Sequence, residues 1–241
     1  MTNLLYQRDS YTQTFEAKVT QIDNENHAIA LDQSAFYPGG GGQPADRGTL
    51  SRDGQTYTID RAKKIGNDVF HFVSGDQALP QVGVTVTGEI DWDRRFKLMR
   101  THTALHILCG CVFRDYGATV TGGDMEPLKG RMDFEFETMH KDLVLAIEEA
   151  VNIEIKNARP IEVDILPREE AFKIPDLIRT KINLLPPGIS EVRIVEIKGL
   201  DLQADGGTHV HNTQEVGSVH VVDYKSKGKI NKRIYIDISD G

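Results

Sequence analysis

Cysteine is nearly missing from this chain: only Cys109 and Cys111 occur, two positions apart in a stretch that reads as helix. They stand too close for a structural bridge, which excludes a disulfide-stapled fold and fits a reducing compartment. No apolar run approaches the ~20 residues of a membrane span. The opening "MTNLLYQRDSYTQTF" also lacks the basic-then-apolar layout of a signal peptide, so a soluble, cytoplasmic protein with no membrane partner is expected. Positive charge is scarce as well, with 28 Lys and Arg against 36 Asp and Glu and a net charge of −8. That balance excludes a generalised nucleic-acid coat and requires any polyanion to be met by a local basic patch. There is no internal repeat, and no low-complexity segment beyond one run of glycines. What is present, 241 residues with 39% hydrophobic content, suffices for one large or two small packed cores.

From Gln13 to about Ile90, short alternating or β-branched runs ("TFEAKVTQI", "HAIAL", "QTYTID", "DVFHFV", "VTVTGEI") are broken by turn formers, the pattern of a small barrel-like β-unit. "SAFYPGGGGQPAD", before "RGTLSR", can form neither helix nor regular strand. The pattern then changes. Asp91 is suited to cap a long helix from Trp92 to about Tyr116, ended by Gly117. "ATVTGGDM" and "GRMDFEFE" read as strand–turn–strand, and Thr138 is placed to cap a second helix from Met139 to about Ala158. A strand "IEVDIL", a short helix begun by Pro167, a Pro-rich loop "LLPPG", and strands near "VRIVEI", "VGSVHVVDY" and "RIYIDI" follow. The expected fold is α+β in two domains: an N-terminal β-barrel over residues 1–90, then residues 91–241 with helices packed on an antiparallel sheet.

Within the long helix, "RTHTALHIL" places His102 and His106 four residues apart, hence one above the other on one face. Two imidazoles seldom complete a metal site. Near the far end, "LQADGGTHVHN" offers Asp205 and His209 on either side of a Gly-Gly turn. Zinc accepts imidazole nitrogen and carboxylate oxygen in a tetrahedron, so His102, His106, His209 and Asp205 form a chemically sensible set. His211 is held in reserve, because alternation along an extended segment points it the same way as His209. Cys109 shares the helical face but lies ~10 Å along the axis from His102 and reads as core. Thr103, not glutamate, follows His102, which removes the base of a zinc-protease helix.

"HTALHIL" with a later "GGTHV", preceded by "AFYPGGGGQPADRG" and "TGGDM…RMDFEFE", resembles the AlaX-type alanyl-tRNA editing proteins of medium length, freestanding relatives of the alanyl-tRNA synthetase editing domain. The resemblance covers nearly the whole chain. It implies a trans-editing hydrolase of translation fidelity that cleaves seryl or glycyl ester from tRNA(Ala), using one zinc ion per chain. The family's metal-binding histidines fall on His102, His106 and His209. Many members have cysteine where this chain has Asp205, and a carboxylate is a harder zinc donor than a thiolate, admitting other divalent metals. The metal's part, as activator of water or carbonyl or as holder of the amino group, stays open at this level.

The resemblance further implies that Thr121 discriminates serine from alanine. It also implies that the loop Gly39, Gly40, Gly41 and Gly42, with Gln43 supplying a hydrogen bond, closes over the terminal adenosine. Lacking the Lys-Ser/Thr of a phosphate-binding loop, these glycines imply no nucleotide cofactor. Basic residues cluster at Arg61, Lys63 and Lys64, at Arg94, Arg95, Lys97 and Arg100, and at Lys225, Lys227, Lys229, Lys232 and Arg233. The last set, on a hairpin-like turn around Gly228, is the best candidate for acceptor-stem phosphates. Two other readings fit the same residues: a hydrolase of another small aminoacyl ester, and a non-catalytic RNA-binding module whose metal site is structural.

Overall fold

A computed structural model describes residues 1–180, 185 and 188–241. The "LLPPG" loop expected at 184–188 lies largely outside the described residues. The chain forms two compact units, Met1–Phe96 and Lys97–Gly241.

The first unit holds β1 (Asn3–Leu4), β2 (Thr14–Asp23), β3 (Ala28–Leu31), β4 (Gln33–Ser34), β5 (Gly48–Arg52), β6 (Gln55–Ile65), β7 (Asp68–Val73) and β8 (Thr85–Ile90). Six of them close into an antiparallel barrel in the order β2-β3-β7-β6-β5-β8, while β1 pairs in parallel with β4. Period-two alternation sends Phe15, Ala17 and Val19 of β2 and Val86 and Ile90 of β8 inward, onto Leu31, Phe36, Leu50 and Ile59. His71 of β7 also points inward. It is fully buried, with ring nitrogens 2.8 Å from Ser34 Oγ and 3.2 Å from the Ile29 carbonyl, and burial depresses its pKa to about 4.

Beyond the barrel strands runs α1 (Trp92–Tyr116), which starts in the first unit and continues into the second. Asp91 caps it as the sequence predicts, its Oδ1 accepting from Arg94 N at 3.1 Å, and Gly117 ends it at φ +65°. Every residue from Leu98 to Val112 is buried. A helix enclosed on all sides cannot leave polar side chains unpartnered, so the histidines it carries need built surroundings.

The second unit continues with β9 (Val120–Glu126), β10 (Lys129–Glu135), α2 (Lys141–Lys156), β11 (Ile161–Pro167), α3 (Arg168–Ala171), β12 (Glu191–Ile197), β13 (Asp201–Ala204), β14 (Ser218–Ser226) and β15 (Asn231–Ser239). The strands form two antiparallel sheets, β14-β15-β10-β9 and β11-β12-β13. Thr101 ties α1 to the β9–β10 turn, its hydroxyl accepting from Leu128 N at 2.9 Å. In α2, Val144, Ile147, Val151 and Ile155 make the buried stripe expected of helical periodicity. This helix is shorter than the sequence predicts. His140, not Thr138, is its N-cap, with Nδ1 accepting from Leu143 N at 3.3 Å. Asn152 of α2 exchanges hydrogen bonds with both the N–H and the carbonyl of Val219, and Glu148 accepts from Val221 N, so side chains occupy the outer edge of β14.

Candidate metal centre

One ligand atom from each of His102, His106, Asp205 and His209 falls within 4.8 Å of the others. The i, i+4 spacing on α1 supplies two rings, and the segment after β13 supplies the other pair. Ring centroids lie 5.0 Å apart for His102 and His106, 4.3 Å for His102 and His209, and 4.7 Å for His106 and His209. Asp205 sits between them: Oδ2 is 3.0 Å from His209 Nε2, and Oδ1 is 3.6 Å from His102 Nε2. Gly207 N donates to Asp205 Oδ2 at 2.8 Å, an Asx turn that fixes the carboxylate as the chain reverses. On β12, Arg193 donates through Nη1 to the Asp205 carbonyl at 2.9 Å.

Outer contacts orient two of the rings. His106 Nδ1 lies 3.1 Å from Asp201 Oδ2, and His209 Nδ1 lies 3.1 Å from Thr103 Oγ1. Both rings therefore turn Nε2 toward the cluster. Burial pushes the pKa of His102 well down and that of His209 to about 4, which keeps both imidazoles neutral and able to ligate. Burial acts the same way on His106, but the hydrogen bond and charge of Asp201 outweigh it and raise that pKa. Asp205 is held well below the usual carboxylate range because its histidine neighbours outweigh the cost of burial. Three imidazole nitrogens facing one carboxylate at this separation make a donor set that could hold a metal ion.

The remaining sequence-predicted residues fall elsewhere. His211 is exposed and outside the four-residue set, because residues 205–212 follow an irregular path and not the extended one that alternation assumes. Cys109 and Cys111 are free and buried, and burial pushes the Cys111 thiol up to about 12. Cys109 Sγ accepts from Gln203 Nε2 at 3.4 Å. Thr121 is exposed on β9, its hydroxyl donating to Asn231 Oδ1 at 2.8 Å. Gly39 to Gly42 all take positive φ, between +57° and +139°. Gly41 and Gly42 form the two-residue tip of a miniature hairpin closed by reciprocal hydrogen bonds between Gly40 and Gln43. Gln43 is buried at 2% exposure. Asp46 secures the base of this loop by accepting from Tyr37 N at 2.6 Å and from the buried Arg95.

Two basic clusters are not the surfaces that composition suggests. Arg95 is fully buried, and Arg100 donates inward to the carbonyls of Val216 and Ser239 at 3.0 and 2.9 Å. At the hairpin, Lys225, Lys227 and Lys229 are exposed. Lys232 is buried with Nζ on the carbonyls of Gly228 and Lys229, and Arg233 makes a bidentate pair with Asp133 at 2.6 and 2.7 Å. Arg61, Lys63 and Lys64 lie exposed along β6. Sequence reasoning missed Asp201, Thr103 and Arg193. None of the three carried a signal, Asp201 because its four-residue strand is not announced by the sequence.

Residues 7–94 match the class II (A) tRNA synthetases, and residues 192–235 match the second additional domain of threonyl and alanyl tRNA synthetases. The chain is 40% identical over 240 residues to the alanyl-tRNA editing protein AlaX-M of Saccharolobus solfataricus, covering 99% of each, and 36% identical over 244 residues to that of Methanosarcina barkeri, covering all of both. It is also 37% identical over 230 residues to the alanine–tRNA ligase of Ignicoccus hospitalis, covering 92% of this chain and 24% of the ligase. The chain belongs to the AlaX-M family of alanyl-tRNA editing proteins. No helix among the described residues is long and apolar enough to cross a membrane.

Proposed function

We propose that this protein deacylates tRNA(Ala) carrying serine or glycine, with His102, His106, His209 and Asp205 holding a zinc ion. The observation that carries the proposal is the convergence of four donor atoms within 4.8 Å from segments about a hundred residues apart. A bound divalent cation there supplies Lewis acidity toward an ester carbonyl or water, or a grip on the substrate amino group. The chain's own residues set the conditions for either role. Two imidazoles on a buried helix face the cluster, Asp205 stays anionic, and Thr103 and Asp201 hold two of the rings from behind. The residues from Lys97 onward are the deacylase part in this reading, and the barrel is a companion unit.

Rejection of alanine rests on polar contacts that only a seryl hydroxyl satisfies, a role assigned to Thr121. Lys225, Lys227 and Lys229, exposed around the β14–β15 turn, are suited to phosphates of the acceptor stem, with Lys232 and Arg233 bracing the turn from beneath. Gly40 and Gly41, exposed on the glycine hairpin, offer main-chain groups to a nucleic-acid backbone.

The test is deacylation of seryl-, glycyl- and alanyl-tRNA(Ala) by wild type and His106→Ala, with metal content measured on each preparation. Hydrolysis of the two mischarged species, with loss of both zinc and activity in the variant, is expected. Metal-free, folded wild type working at full rate would overturn the metal reading. Zinc-loaded protein that binds tRNA but hydrolyses none of the esters would leave a non-catalytic RNA-binding module.

A further inference from the structure

We infer that Asp201 is a positioning residue for the metal centre, and that Gly110 is the gap in α1 that lets it reach the back of His106. The inference rests on reading the cluster as a metal site. In β13, Asp201 and Gln203 share one face by strand alternation, and Asp205 follows directly after the strand. This short strand and its exit therefore deliver two carboxylates to α1. Asp205 meets the cluster from the front, and Asp201 meets His106 from behind.

A carboxylate can only accept. The 3.1 Å contact between Asp201 Oδ2 and His106 Nδ1 therefore requires Nδ1 to carry the hydrogen, which in the neutral ring leaves the Nε2 lone pair facing the cluster. The carboxylate is itself fixed. Gln203 Nε2 donates to Oδ2 at 2.7 Å, and Arg179 Nε lies 3.6 Å from Oδ1, its guanidinium stacked 3.8 Å over the Phe113 ring. Asp201 is 3% exposed, and the geometry it imposes on His106 has no competition from bulk water.

Gly110 stands one helical turn beyond His106, on the His102–His106 stripe. A Cβ there would come within 2.9 Å of Leu200 Cγ, 3.1 Å of Asp201 Cβ and 3.2 Å of the Leu200 carbonyl. An alanine there would push Leu200 and the start of β13 away from the helix by a few tenths of an ångström. Glycine in a helix interior costs about 1 kcal/mol against alanine, so its presence here has a packing reason.

Zinc titration of the full chain against a competing chromophoric chelator tests the inference, alongside nitrogen-15 NMR of the metal-free imidazoles. Asp201→Ala should weaken zinc binding about 10–100-fold, as loss of an outer partner of a ligating histidine does. Asp201→Asn, which keeps an acceptor oxygen, should weaken it less. In metal-free wild type the neutral form of His106 should be the Nδ1–H tautomer, and Asp201→Ala should move it toward Nε2–H. Gly110→Ala should displace Asp201 and reproduce both effects with the carboxylate still present. Variants with wild-type affinity and an unchanged tautomer would overturn the inference. Should Asp201→Ala fail to fold, Asp201→Asn and Gly110→Ala decide it by the same two readouts. A wild type that takes up no zinc would sink the metal reading, and the tautomer of His106 would then decide the role of Asp201 by itself.

Discussion

Thr103 Oγ1 lies 3.1 Å from His209 Nδ1 and also accepts from Val210 N at 3.3 Å, so one hydroxyl on α1 anchors a ring and its chain neighbour more than a hundred residues away. Replacing Thr103 by the isosteric valine leaves both groups buried without this partner. The expected cost is about 1–3 kcal/mol in stability, with zinc bound about tenfold more weakly. Denaturant unfolding and a chelator titration measure the two. Unchanged affinity would remove Thr103 from the support of the site.

Asp205 is the hard donor among three imidazoles. Asp205→Cys should exchange it for a thiolate and tighten zinc on the order of tenfold. With cobalt in place of zinc, a thiolate-to-metal charge-transfer band should appear. An absent band would show that residue 205 does not reach the ion.

Thr121 presents its hydroxyl from exposed β9, engaged with Asn231. Thr121→Val should bring the hydrolysis rates of seryl and alanyl esters closer by about tenfold, the worth of one hydrogen bond to the substrate. Zinc content should not change. A variant that retains the wild-type preference for the seryl ester would refute the assignment.

The interior of the barrel makes a pH prediction independent of any metal. In the unfolded chain His71 protonates near 6.5, whereas in the barrel burial holds it neutral down to about 4. Between those values the unfolded form binds a proton that the folded form does not. The contribution of His71 is thus complete above pH 6.5, is lost as pH falls toward 4, and amounts to about 3 kcal/mol. Amide exchange of the barrel strands in wild type and His71→Gln, at a series of pH values, reads the difference. Parallel pH profiles would contradict it.

Arg95 and Asp46 are buried together at the foot of the glycine hairpin. Arg95→Met leaves the carboxylate uncompensated and should destabilise the protein by about 3–5 kcal/mol. Exchange of the Tyr37 amide, bonded to Asp46, should rise most. A loss under 1 kcal/mol would mean that the loop does not depend on this pair.

These residues also mark what was legible in the sequence. Helix α1 could be read to both ends because Asp91 and Gly117 are local signals and act locally in the fold. The four candidate ligands were legible because HxxxH and D-x-x-x-H are each short spacings around a turn or along one helix face. Arg95 and Arg100 misled because their partners, Asp46 and the Val216 carbonyl, lie far off in sequence, and an arginine with a distant partner looks the same as a solvated one. Strand β13 escaped notice since "DLQA" has four residues and no β-branched side chain, so Asp201 had no element to give it a direction. Thr138 outranks histidine as a cap by propensity, yet α2 starts at Lys141, with His140 Nδ1 accepting from Leu143 N.

The outer margin of β14 has a consequence for the behaviour of the whole molecule in solution. Asn152 imitates a neighbouring backbone by giving and taking one hydrogen bond each at Val219, and Glu148 repeats half of that at Val221. A strand margin left bare is a template on which a stranger's backbone can zip, and copies joined that way lead toward polymers. Two side chains of a helix thus end the sheet at Val219 and Val221, a barrier to copolymerisation that a single amide-to-methyl change at residue 152 would lower.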